Sequence, residues 1–428
     1  GSPHGSLWAG AGAACSTNPL FMAFILPESS PFRSFWWGGY ECTDQLNAFG
    51  HRVDFLPLTG HLQLIDEDYT ALGPFNVKTV REGIRWAQIE KTPYHYDFST
   101  VQTMLAAGQR HGIQQVWDLC HFGYPDDLTP LHPLFARRFA ALCRAFVDFY
   151  RSQRPDDVLI VTPINEVSFI SWLGGDARGT SPYCNHQGWE VKYGLMRAYI
   201  EGAHALREAD PGIRILTTEP LVHIVPPLQA TARERRWARE AHNNQFQATD
   251  MLSGRMCPEL GGHPDLLDIV GFNYYYDNQW QNGTDWKLGW NDAVHDPRWR
   301  PLRVLLRDAY KRYGRPFALT ETSHPGIDRP QWLRMIAEEC AAVLRAGLPL
   351  QGICLYPIID RPDWDHLEQW HQSGLWDADL SRPGPARVLH QPSAEALRAA
   401  QATTAAAMSA PRGTGGKSAL LQPLATYL

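Results

Sequence analysis

The chain has 428 residues, 44% of them hydrophobic and 11% aromatic, enough to bury two average domains or one large α/β barrel. Lys and Arg number 39 against 45 Asp and Glu, a formal charge of -6, and no basic run is long enough to track a phosphate backbone. Nucleic acid is therefore not an expected partner, and no apolar stretch approaches the roughly 18 residues of a membrane span.

In chain order, the opening GSPHGS reads as a cloning remnant, and residues 1–30 as an N-terminal extension. The apolar stretch LWAGAGAACSTNPLFMAFIL lacks the basic flank of a signal peptide, which favours a cytoplasmic location and leaves export open. Beyond it, short runs rich in β-branched and aromatic residues alternate with longer amphipathic runs, the signature of repeated βα units. The spacing predicts strands at 34–38, 77–86, 114–121, 158–165, 213–219, 267–274, 316–321 and 352–357. Helices follow, most clearly at 131–154, 189–209, 330–346 and 393–407, with apolar residues three and four apart. Nearly continuous apolar strands such as VLIVTPI and LDIVGFNY suit a sheet covered on both faces. The expected fold is a single-domain (β/α)8 TIM barrel over 31–407, with long loops after strands at 171–188 and 275–300. The Ala-, Gly-, Ser- and Pro-rich residues 408–428 read as a flexible tail.

The eight cysteines form no CxxC pair, and Cys120 and Cys354 fall inside strands, so reduced thiols packed as small hydrophobes are expected. The histidines form no HExxH, and neither a metal nor a cofactor is expected.

Glu166 and Glu321 each end a predicted strand, in VLIVTPINEVSF and RPFALTETSHPG. In a parallel barrel both would stand at the same rim, with room for a glycosidic bond between them. Retaining hydrolysis needs one ionised carboxylate to attack the anomeric carbon and one protonated carboxyl to donate to the leaving oxygen. Two like charges in one pocket help separate the pKa values, and strand ends hold the spacing rigidly.

Taken in order, seven short motifs resemble those of glycoside hydrolase family 1, from the first strand to beyond the eighth. FWWGGYECTDQ is similar to a strand-one motif ending in a sugar-binding Gln, which implies that role for Gln45. VREGIRWAQI resembles the strand-two motif, implying Arg81 as the residue that orients the nucleophile, and LCHFGYP implies His121 as a sugar ligand. TPINEV matches Asn165 to the 2-hydroxyl ligand and Glu166 to the acid/base. GFNYYYDN supplies Asn273 to the pocket and Tyr275 as the partner of the nucleophile, which LTETSH supplies as Glu321. YPIIDRPDWDH resembles the strand-eight motif, implying Asp363 as a glycon-binding acid and Trp364 as an aromatic platform. Five departures reshape the pocket rather than the pair: Asp363 for Glu, Tyr356 for Trp, Val167 for Pro, Gly123 for Asp, and Asn47 for a second Glu.

Other residues admit more than one reading from sequence. Glu219 could be a third pocket carboxylate or one half of a buried pair with a barrel Arg, whereas Glu41, Glu82 and Asp118 read as buried acids paired to Arg81 or Arg85. Trp172, Trp280, Trp286, Trp290 and Trp299 could form a leaving-group platform or a small loop core; the cluster favours the platform, with Trp290 counted among the sugar ligands. His324 could touch substrate or pack beneath its loop. The expected function is a retaining, exo-acting β-glycosidase of β-glucosidase or β-galactosidase kind, whose partner is a small-molecule or oligosaccharide β-glycoside. The alternative is a barrel that binds or transglycosylates carbohydrate without hydrolysis. A binding-only protein has no need for Arg81, Asn165, Glu166, Tyr275 and Glu321 together.

Overall fold

The computed structural model describes residues 30–382 and 385–410. Eight parallel strands close a barrel in sequential order. Numbered β1 to β8, they are Trp36–Gly39, Thr79–Gly83, Gln114–Cys120, Ile160–Ile164, Arg214–Pro220, Ile269–Asn273, Phe317–Thr322 and Leu350–Leu355. All eight predicted strands are present. The second is shorter than expected because the chain leaves the sheet at Arg85, whose φ of 63° is left-handed. The predicted helices appear as Phe135–Gln153, Gly188–Ala209, Arg329–Arg345 and Gln391–Ser409. The last extends slightly past the expected domain end, whereas the expected extension and tail lie almost wholly outside the described residues.

Two cores divide the apolar side chains. One lies between strands and outer helices, and includes Trp86, Phe139, Phe146 and Trp332. The other fills the barrel axis with Trp37, Val116, Ile160, Leu216, Ile269, Ala318 and Cys354, contributed by seven of the strands. This interior leaves no pore, so chemistry is confined to the rim. Phe32 closes the lower end against Trp37, ring centroids 4.1 Å apart.

Two of the long loops carry structure of their own. After β4 the helix Val167–Gly175 precedes the irregular stretch, so the expected 171–188 loop begins later than its sequence suggests. After β6, Gln279–Gln281 pairs in parallel with His223–Val225 from the loop after β5, which ties two rim loops together. Among the described residues seven cysteines are free, as expected, and no helix is long and apolar enough to cross a membrane.

Candidate active site

The rim opens into a cavity of about 1900 Å³ lined by Glu41, His121, Glu166, Tyr275, Glu321, Arg361 and Trp364, among others. Two local irregularities aim the central glutamates into it. Beyond Leu319, strand β7 contains one more residue than either neighbour: Phe272 and Asn273 pair with Leu319 and Glu321, while Ile353 and Leu355 pair with Leu319 and Thr322. A bulge of this kind re-aims the side chains that follow it, and it brings Glu321 round to the barrel mouth. Glu166 follows the end of β4 in a left-handed turn, φ 48° and ψ 58°, a strained conformation for a residue with a Cβ and one typical of functional sites.

The surroundings of the two carboxyls differ. Glu321 is 2% exposed, with Arg81 Nη1 3.2 Å from Oε1 and the Tyr275 hydroxyl donating to Oε2 at 3.4 Å. Burial pushes its carboxyl above the ordinary value, while Arg81 and His121 pull it back. Glu166 is half-buried and has no cation against it among the described ion pairs. Burial, then the charges of Glu321 and Glu219, hold its carboxyl well above the ordinary value. One group thus favours the ionised form more than the other.

A buried network fixes this pair from behind. Arg81 donates through Nη1 to the Thr320 carbonyl at 2.9 Å and through Nη2 to Asp118 at 2.7 Å and Asn165 at 3.3 Å. Asp118 also holds His121 Nδ1 at 2.7 Å, which leaves Nε2 facing Glu41 and the Tyr356 hydroxyl at 3.4 and 3.3 Å. Tyr356 stacks on His121 at 5.6 Å and covers Arg81 at 5.0 Å. The close fit requires Gly39, where a Cβ would stand 2.0 Å from the Tyr356 ring. Gly123 likewise accommodates Asp44, whose Oδ1 lies 1.9 Å from where a Cβ would be.

Most sequence-selected residues converge here, at different depths. Glu166, Glu321, His121, Tyr275 and Trp364 line the cavity. Arg81, Asn165 and Asn273 lie behind it, fully buried; Asn273 accepts from Thr320 at 2.6 Å and reaches both Asn165 and Glu166. Three expected sugar ligands are elsewhere. Gln45 is buried off the cavity, because β1 ends at Gly39 and the turn beyond it presents Glu41 instead, four residues earlier. Asp363 turns back into its own loop, accepting from the amides of Asp365 and His366 and from His371, each at 3.1 Å. Trp290 is 8% exposed and packs edge-on against Trp332 at 5.0 Å, a loop core to which His324 also belongs. Of the other loop tryptophans, Trp172 and Trp280 line the cavity, whereas Trp299 stacks on His295.

The structure adds Arg361 to the cavity wall and places Glu41 there beside it, rather than against Arg81 or Arg85. Arg361 stacks on Trp364 at 5.0 Å with its Nε 3.7 Å from Glu41. Asp118 pairs with Arg81 as expected, but Glu82 faces outward to His61 at 2.8 Å. Glu219 pairs with no barrel Arg among the described residues and instead accepts the Ser168 amide at 3.2 Å. Cys42, Asp118 and His121 bring ligand atoms within 4.8 Å of one another, but the Asp118 oxygen that binds His121 already takes Arg81. A guanidinium charge so close makes the trio a poor cation site.

No family model matches the sequence, and no curated protein matches it. Solved structures do match. A family 1 β-glucosidase from Thermotoga maritima is 15% identical with a TM-score of 0.67, over 88% of this chain and 99% of that one. A β-glycosidase from Pyrococcus horikoshii is 16% identical with a TM-score of 0.69, over 88% and 95%. The β-glycosidase BGL167 is 17% identical with a TM-score of 0.66, over 91% and 100%. At these identities the likeness is one of fold: under a divergent sequence the chain has a (β/α)8 barrel like those of these solved structures.

Proposed function

We propose that the protein is a retaining, exo-acting β-glycosidase of β-glucosidase or β-galactosidase kind, with residues 31–407 as its single hydrolase unit. The observation that carries this reading is the asymmetry of the two rim glutamates. Glu321 is paired to Arg81 and Tyr275, whereas Glu166 has carboxylates for neighbours and no cation of its own. The first suits a nucleophile and the second a proton donor. The shared barrel fold adds support, as do the solved complexes of the Thermotoga β-glucosidase with isofagomine lactam, glucoimidazole and deoxynojirimycin.

In the first step the Glu321 carboxylate bonds to the anomeric carbon as the bond to the leaving oxygen breaks, and Glu166 gives that oxygen its proton. In the second, Glu166 takes a proton from water, the resulting oxygen attacks the anomeric carbon, and the ester to Glu321 breaks. Both carboxyls return to their starting states. Arg81 and Tyr275 hold the attacking oxygens in line, and Asn165, buried behind the wall, braces His121, whose Nε2 is 3.4 Å from its amide nitrogen. Glu41, His121, Arg361 and Trp364 form the wall that meets the glycon.

A panel of aryl β-glycosides differing only in the sugar tests the reading. Aryl alcohol release from the glucoside or galactoside, lost in Glu321→Ala, is expected. If no glycoside in the panel is cleaved faster than in buffer, the proposal fails.

A further inference from the structure

The end of β5 seats the whole turn that carries Glu166. The Thr218 hydroxyl donates to Asn165 Oδ1 at 2.6 Å, and the Thr218 carbonyl accepts the Glu166 amide at 2.8 Å. One residue on, the Glu219 carboxylate accepts the amides of Ser168 and Val167. These are the first two amides of the helix Val167–Gly175, where free N–H groups and the helix dipole favour an anion. Three consecutive links therefore join two adjacent β5 residues to Asn165, Glu166 and the start of the helix.

Glu219 is 7% exposed, and its side chain belongs to no ion pair with Arg among the described residues. The groups facing it are Glu166 itself and, from helix Gly188–Ala209, Lys192 and Tyr199. Lys192 spends its hydrogen bonds on Gln247 at 2.9 Å and Asn244 at 3.3 Å, so its charge acts on Glu219 without a bond.

We propose that Glu219 is a positioning residue for the acid/base: its carboxylate anchors the turn that presents Glu166 and sets a buried negative charge against it. This rests on Glu166 being the proton donor. Around Glu166 stand Glu321 from β7, His121 just after β3 and Tyr275 after β6, besides Glu219 from β5. Burial pushes the Glu219 carboxyl up to about 6, against the pull of its amide donors and Lys192, so above that pH it is ionised and opposes loss of the Glu166 proton. A residue that only braced the turn would leave the titration of Glu166 where it is.

Glu219→Gln keeps shape and an acceptor for the Ser168 amide while removing the charge. The alkaline limb of kcat/KM should move to lower pH by about one unit, with KM little changed. Poor leaving groups should suffer in the upper pH range, and dinitrophenyl glycosides should not. Glu219→Asp, which retains charge, should leave the limb in place. An unmoved limb in a Glu219→Gln enzyme that melts like the parent overturns the proposal. If that variant does not fold, the unaltered protein decides: carboxyl 13C titration of Glu166 should show a step coincident with the titration of Glu219. A Glu166 curve lacking that step overturns it equally. The titration needs no turnover, so a protein that shows the step but cleaves no glycoside keeps the coupling of Glu219 to Glu166 and loses the proposed function, and with it the acid/base role.

Discussion

Arg81 Nη1 lies 3.2 Å from Glu321 Oε1, and the same guanidinium reaches Asp118 through Nη2 at 2.7 Å, all three groups being almost wholly buried. Its charge thus serves two carboxylates, one in the site and one that in turn orients His121. Arg81→Met should leave both uncompensated, at a cost of about 3–5 kcal/mol in unfolding free energy measured with urea. Arg81 lowers the Glu321 carboxyl, so removing it should raise that pKa and move the acid limb of kcat/KM to higher pH. A variant of parental stability with an unmoved acid limb would deny Arg81 this role.

The two glutamates should separate by leaving group. Glu166→Ala should slow glycosides with poor leaving groups by roughly 10²–10⁴ and activated aryl glycosides far less. Azide should rescue it, attacking the glycosyl ester to give a β-glycosyl azide, whereas Glu321→Ala with azide should give an α-product. Reversed anomers, read by NMR of the azides, would exchange the two roles.

Glycon selection should favour neutral sugars. Arg361 stacks on Trp364, and Glu41 already stands 3.7 Å from it, with Glu166 and Glu321 lining the same cavity. At that wall a 6-phosphate would find one guanidinium, already shared with Glu41. Neutral β-hexosides should show the higher kcat/KM when each is compared with its 6-phosphate. A preference for the phosphorylated sugar would overturn this reading of the pocket wall.

Away from the site, His61 sits fully buried between Asp68 at 2.7 Å and Glu82 at 2.8 Å, stacked on Tyr40 at 3.7 Å. Burial opposes its protonation, but Glu82 and Asp68 outweigh it and raise the pKa from 6.5 to about 9. A folded pKa above the unfolded one stabilises fully below about 6.5 and is lost as pH rises through about 9. The melting temperature should therefore fall by a few degrees across that window, and the fall should flatten in His61→Gln. An equal slope in both proteins would show that this histidine is not the group responsible.

What the sequence revealed follows from where the signal is local. Barrel strands such as Ile160–Ile164 and Ile269–Asn273 are buried on both faces, so their apolar runs stand out. Glu166 and Glu321 were legible because each ends such a run. Gln45 lies off the cavity because the turn after Gly39, which an ungapped count from β1 ignores, brings Glu41 there. The places of Asp363 and Trp290 depend on loop contacts, with His371 and with Trp332, that no periodicity records. The bulge in β7 is equally silent in sequence, although it aims the residue on which the proposed chemistry turns. Glu219 shows as a strand-end acid, but only the fold brings it to the amides after Glu166.

Trapping tests the proposed chemistry most directly. A 2-deoxy-2-fluoro-β-glycoside with a dinitrophenolate leaving group should form the glycosyl ester quickly and release it slowly. Peptide mass spectrometry of the intact enzyme, digested after inactivation, should then find the fluorosugar on Glu321, with label absent in Glu321→Gln and turnover regained as the ester hydrolyses. A label on another residue would remove Glu321 as the nucleophile, and hydrolysis of the same compound to an α-anomer without any labelled peptide would replace double displacement by inversion.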